Sequence, residues 1–86
     1  MKLKLKAELP KVVEAFKKVK KHIPAYIDYL NKEGKYKDLE TRLSMDLLRA
    51  TMGINWICGL YDKYDCNDDH IISLAKVALR KVYPIK

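Results

Sequence analysis

The segment from residue 38 to about residue 61 carries the pattern that most restricts how this chain folds. Its apolar residues recur at the three- and four-residue spacing of an α-helix, and they fall on two opposed sides. One side holds Leu39, Leu43, Leu47, Ala50, Ile54, Ile57 and Tyr61, and the other holds Met45, Leu48, Met52, Trp56 and Leu60. A helix that is apolar on two sides must be covered on both. The pattern predicts a long central helix between other helices or against a second copy of the chain.

Two glycines lie within this predicted central helix. Gly53 and Gly59 each cost about 1 kcal/mol relative to alanine in a helix interior. They allow either a close approach of a neighbouring helix or a break near Asn55, and spacing does not choose between these alternatives.

The N-terminal third predicts a second amphipathic helix. Pro10 suits the first turn of a helix, and Gly34 is a natural C-terminal stop. Pro24 has no N–H to bond the Lys20 carbonyl, which predicts a kinked helix or two abutting helices. One apolar stripe nevertheless continues through the whole segment, at Leu9, Val12, Phe16, Val19, Ile23, Ile27 and Leu30.

A further helix is predicted near the C-terminus. Asn67 is a suitable N-cap, Asp68 and Asp69 follow it at the positive end of the helix dipole, and Pro84 ends the pattern. Its apolar stripe comprises Ile71, Leu74, Ala75, Ala78 and Val82. We therefore predict an all-α fold, a small three- or four-helix bundle with a long central helix and a kinked N-terminal helix, in one domain over 1–86.

Residues 1–8 fit this bundle least well. Lysine and leucine alternate over residues 2–6, which is a short strand pattern or a loose tail. A lone strand has no hydrogen-bond partner in a helical chain, so we favour a loose tail.

The net charge of +7 is concentrated in the first third of the 86 residues. Residues 1–37 hold eleven lysines and four acidic residues, whereas basic and acidic residues balance over 38–86. Such asymmetry indicates an anionic partner, although lysine-rich surfaces also serve solubility alone. The chain shows neither an apolar run of about 18 residues nor the apolar core of a signal peptide, so we expect a cytoplasmic protein without a membrane span.

Two groups of residues are candidates for binding. Arg42, Asp46 and Arg49 are four and three residues apart, which suits an exposed ion-pair ladder or an arginine pair facing a phosphate or carboxylate. The lysine face of the first helix is either solvated surface or an electrostatic track for nucleic acid, with a neighbouring tyrosine for stacking. These candidates are Lys11, Lys17, Lys18, Lys21 and Tyr26.

Catalytic and metal-binding chemistry is weakly indicated. The run from Asp65 to His70 matches no calcium or zinc spacing and is explained as an acidic N-cap. A thiolate–imidazole pair from Cys58 or Cys66 with His22 or His70 lacks a glycine-rich elbow or cradle. We therefore predict no metal, no cofactor and no enzymatic activity.

The functional prediction is a small non-enzymatic binding or regulatory protein that self-associates, as a homodimer or a larger homo-oligomer, and acts on a partner. One alternative is binding of nucleic acid or a phosphorylated ligand through the basic third and Arg42/Arg49. Another is inhibition of a protein partner, of the kind that mobile elements encode.

Overall fold

The computed structural model describes residues 5–34, 38–53 and 68–84. Within these ranges the chain forms helices and no strand, which confirms the predicted all-α bundle. The four α-helices described are α1 (Leu9–Lys18), α2 (Ile23–Glu33), α3 (Leu39–Met52) and α4 (Asp68–Val82). None of these helices has the length and hydropathy required to cross a bilayer.

The core lies where α1, α3 and α4 meet. Each of these helices packs against the other two, and α2 packs against α3. Phe16 in the last turn of α1 is completely buried, and Leu43, Leu48 and Leu79 bury their side chains with it. Each such burial is worth about 1.5–3 kcal/mol, so one shared core holds the three helices together.

The segment before α1 is ordered from Leu5 onward. Leu5–Glu8 forms a 3₁₀ turn, and Leu5 is only 5% exposed and belongs to the core cluster. The interpretation of residues 1–8 as a loose tail therefore does not hold for this turn. The physical reason is that the leucine finds apolar cover against the bundle, which offsets the entropy of ordering the turn.

The N-terminal stripe is divided into two abutting helices. α1 ends at Lys18, a 3₁₀ turn spans Lys20–His22, and α2 then begins with Pro24 in its first turn. The His22 N–H donates to the Val19 carbonyl at 2.9 Å within this junction. Pro24 sits where its missing N–H has no intrahelical acceptor to lose, so the break precedes the proline by several residues.

The ends of α3 follow local signals. Asp38 is the N-cap and accepts a hydrogen bond from the Thr41 N–H at 3.1 Å. At the other end the Gly53 N–H donates to the Arg49 carbonyl at 3.0 Å, and Gly53 has a φ of 83°. That backbone conformation favours glycine and is not helical, so α3 ends at Met52 rather than near Tyr61. The predicted helical positions from Ile54 onward lie outside the described residues.

The remaining helix boundaries agree with the sequence analysis. Gly34 adopts the left-handed conformation with a φ of 61° and caps α2, its N–H donating to the Leu30 carbonyl. α4 ends at Val82, two residues before Pro84, and its predicted apolar stripe is buried. The proposed Asn67 cap lies outside the described residues.

Candidate binding groove

A groove runs along the bundle between the α1–α2 pair and the second half of α3. It consists of two adjoining cavities of about 540 and 460 Å³. Both are lined by Val19 at the junction of α1 and α2 and by Ala50 and Thr51 of α3, so the cavities lie side by side. We call this feature the α1–α3 groove.

Small and apolar side chains make up much of the lining of the α1–α3 groove, and we call this apolar part of the lining its floor. Ala15, Ala25 and Ala50 contribute from α1, α2 and α3, with Val19 and Leu47 beside them. Ala50 belongs to an apolar stripe of the sequence, yet it is exposed. The short alanine side chains leave a depression between the helices that nothing in the described residues fills.

One end of the groove, the tyrosine end, contains two aromatic residues of α2. The rings of Tyr26 and Tyr29 are stacked, with centroids 5.9 Å apart and an interplanar angle of 28°. Tyr29 is 55% exposed, whereas Tyr26 is half-buried and donates a hydrogen bond to the Asp46 carboxylate. Burial first, and then the bond to Asp46, raises the pKa of Tyr26 to about 12, so this phenol is neutral at pH 7.

Asp46 is also ion-paired within α3. Its Oδ2 lies 2.9 Å from Nε of Arg42, one helical turn earlier. This is one of the intrahelical ion pairs that the residue spacing predicts. Arg49 is exposed and makes no ion pair with any residue in the described ranges. Neither arginine lines the groove, and Asp46 reaches across to α2 instead of bridging the two arginines.

The other end of the groove, the lysine end, carries exposed cations. Lys11 and Lys18 line it from α1. Lys17 points its ammonium toward Glu14 at 3.4 Å, in an exposed pair of the kind that contributes little to stability. Lys21 lies on the 3₁₀ turn, exposed and outside the lining.

The structure thus divides the eight candidate residues into two groups. Four line the groove, namely Lys11, Lys18, Tyr26 and Asp46. The other four lie outside its lining, namely Lys17, Lys21, Arg42 and Arg49. Sequence analysis missed the Tyr26–Asp46 contact because the partners are twenty residues apart on different helices. Only the mixed aromatic and lysine composition of the N-terminal third pointed toward this surface.

Two ion pairs position α3 against α4, and the sequence analysis did not find them. Lys76 Nζ lies 3.3 Å from Asp38 Oδ2, and Arg80 binds Glu40 through two nitrogens at 2.5 and 3.2 Å. Hydrogen bonds from the Thr41 side chain and backbone, with the Lys76 ammonium, hold the pKa of Asp38 at about 2. The bond to Glu40 raises the pKa of Arg80. These contacts hold the first turn of α3 in place.

Groups that could support other chemistry are few in the described part of the chain. It holds no cluster of three histidine, cysteine, aspartate or glutamate side chains able to bind a metal. Cys58, Cys66 and the loop from Asp65 to Asn67 lie outside the described residues. What the groove itself offers is an apolar floor with cations at one end and aromatic rings at the other.

No protein-family model, curated protein or solved structure matches this chain. The class of protein is therefore defined by the fold and the groove alone, as a small helical bundle with a basic, apolar-floored cleft.

Proposed function

We propose that this protein is a non-enzymatic binding module that holds part of an anionic macromolecule in the α1–α3 groove. The observation that carries the proposal is the position of Lys11 and Lys18 on the lining of a groove whose floor is apolar. Further exposed lysines, at positions 20 and 21, extend the positive charge past the groove along the α1–α2 junction.

The carboxylates near the groove support the same proposal. Glu14 and Asp46 line it, but Glu14 is paired with Lys17 and Asp46 with Arg42. Each negative charge therefore has a cation beside it, and the groove presents a net positive potential to a ligand.

Anisotropy measurements with two labelled polyanions test this function. The probes are a twenty-residue polyglutamate and the oligonucleotide dT20, each at low and at moderate salt. We expect binding to at least one probe, weaker at higher salt because paired charges are screened. The double variant Lys11→Glu/Lys18→Glu should lose about tenfold or more in affinity, since it reverses both cations of the groove.

The matched control is Lys6→Glu/Lys32→Glu, which makes the same change in net charge at exposed lysines outside the groove. An equal loss in both double variants would assign binding to overall charge instead of the groove. If neither polyglutamate nor dT20 binds at low salt, the proposed function is wrong.

Single-stranded nucleic acid is a second candidate ligand, because of the tyrosine end. Tyr29 is exposed and stacked on Tyr26 in the same groove as the lysine end. Stacking of a base on an aromatic ring is worth about 1–3 kcal/mol. If this candidate is correct, Tyr29→Leu weakens dT20 binding at least fivefold, which corresponds to about 1 kcal/mol, and leaves polyglutamate binding unchanged. Equal effects on both probes would argue against base stacking.

Self-association remains a prediction from the two apolar sides of the middle segment. In the described part of that segment Met45 and Met52 are half-buried, so the bundle covers this side in part. The exposed large apolar side chains in the described ranges are Tyr29 and Val77. Light scattering coupled to size exclusion measures the mass directly, and a monomer at high micromolar concentration would end the prediction.

A further inference from the structure

The floor of the α1–α3 groove favours a ligand with apolar side chains. A polyanion that contacts only Lys11 and Lys18 leaves Ala15, Val19 and Ala50 facing water. Covering such surface is favourable by roughly 25 cal/mol per Å² of apolar area. The best-fitting ligand therefore combines carboxylates or phosphates for the lysines with apolar groups for the floor.

The shape of the groove favours a helical ligand. Its walls are helices, with α1 and α2 on one side and α3 on the other, and small residues lie between them. Helices pack about 8–10 Å apart when side chains of one fill the spaces between side chains of its neighbours. An amphipathic helix places apolar residues at positions i, i+3, i+4 and i+7 along one face, which suits a long apolar floor.

The charges of the groove are unevenly distributed along its length. Lys11 and Lys18 lie at one end, whereas the other end has the Tyr26–Tyr29 stack and an aspartate already paired with Arg42. Among the described residues, the cations that line the groove are Lys11 and Lys18, so carboxylates on a ligand pair best over the lysine end. Over the tyrosine end, apolar side chains fit better.

We infer that the groove binds an amphipathic α-helix of a partner protein, with acidic residues concentrated at one end of that helix. The acidic end lies over Lys11 and Lys18, and the apolar face covers Val19, Ala50 and the two tyrosines. This inference rests on the proposed function and names the class of partner for the same site.

Selection from a displayed library of random twenty-residue peptides, with the full chain as bait, tests the inference. We expect enriched peptides to share apolar residues at helical spacing and a cluster of aspartate or glutamate near one end. Synthetic copies should gain helical circular dichroism on binding. Enriched peptides without helical spacing or without acidic clusters would overturn the inference, and so would a failure to enrich any peptide.

Two pairs of variants locate the bound peptide. Ala50→Phe fills the groove from an exposed position and should weaken binding about tenfold or more, whereas Ala7→Phe changes an exposed alanine outside the lining and should have less than about a twofold effect. Comparing peptide binding by Lys18→Glu and by Lys32→Glu tests the contribution of charge in the same way and leaves the apolar floor unaltered. Equal effects within each pair would place the peptide elsewhere.

Binding of dT20, compared with the result of the peptide selection, separates this inference from the function on which it rests. If dT20 binds through Lys11 and Lys18 and no amphipathic peptide is enriched, the anionic-ligand function stands and the helical partner is overturned. If neither dT20 nor polyglutamate binds at low salt, the proposed function itself fails.

Discussion

The hydroxyl of Tyr26 donates a hydrogen bond to the carboxylate of Asp46 and so joins α2 to α3 at the tyrosine end of the groove. The same carboxylate is ion-paired with Arg42, so one half-buried aspartate has both an aromatic and a cationic partner. Asp46 thereby sets the position of the tyrosine whose ring supports the exposed Tyr29. The geometry of the groove and the stability of the bundle are linked through this residue.

Alkaline titration should reveal the environment of Tyr26. Its pKa of about 12 lies above the ordinary value of 10.0, chiefly because burial disfavours the phenolate. The folded state therefore gains stability from the neutral phenol below pH 10 and loses it as the pH rises from 10 toward 12. Ultraviolet titration should show a late-ionising tyrosine that is missing from Tyr26→Phe. An unchanged curve in that variant would contradict the assignment.

A double-mutant cycle should measure the coupling between Tyr26 and Asp46. Hydrogen bonds to charged groups stabilise folded proteins by roughly 1.5–3 kcal/mol, and partial exposure lowers this, so we expect a coupling energy of about 1 kcal/mol. Urea unfolding of Tyr26→Phe, Asp46→Ala and the double variant gives this value. Tyr29→Phe is the control, because the exposed Tyr29 should lose almost no stability with its hydroxyl.

Acid unfolding should be sensitive to Asp38. Its bonds from Thr41 and Lys76 lower its pKa from the ordinary 3.8 to about 2. A lowered carboxylate pKa contributes stability that is present above pH 3.8 and is lost as the pH falls toward 2. Thermal melts between pH 2 and 5 should therefore show a smaller dependence on pH in Asp38→Asn than in the wild type. Parallel curves over that interval would show that Asp38 is not stabilised by these contacts.

The 3₁₀ turn before α1 should contribute measurably to stability. Leu5 is 5% exposed, and Leu→Ala at buried positions costs about 2–5 kcal/mol; at the edge of the core we expect the lower end of this range. Lys6→Ala, at the exposed neighbouring position, should change the free energy of unfolding by less than about 0.5 kcal/mol. Equal stabilities of the two variants would mean that the segment does not pack against the core in solution.

Local signals in the sequence account for most helix boundaries. Gly34 and the proline at position 84 mark helix ends, and the carboxylate of Asp38 caps α3, because capping depends on residues within one or two turns of each other. The Arg42–Asp46 pair belongs to the same category, since its spacing of four residues is set by helix geometry. The sequence left open whether the helix continues through the glycine at position 53, because whether a mid-helix glycine ends a helix depends on what packs around it.

Contacts between helices were beyond prediction from single segments. Arg80 of α4 binds Glu40 of α3, and Lys76 of α4 binds Asp38. Leu5 stands in a charged, alternating segment of the sequence, but the bundle buries its side chain. In each case the partner is separated by dozens of residues or by a whole helix.

The order of residues alone determines that this chain is helical, where most of its helices begin and end, and that its positive charge lies in the first third. Those properties follow from interactions between residues a few positions apart. The tertiary structure decided which two lysines and which two tyrosines face the same groove as Asp46. That choice depends on how α1 and α2, joined through the turn at Lys20–His22, cross α3. The orientation of packed helices is an outcome of the whole core, and no local pattern encodes it.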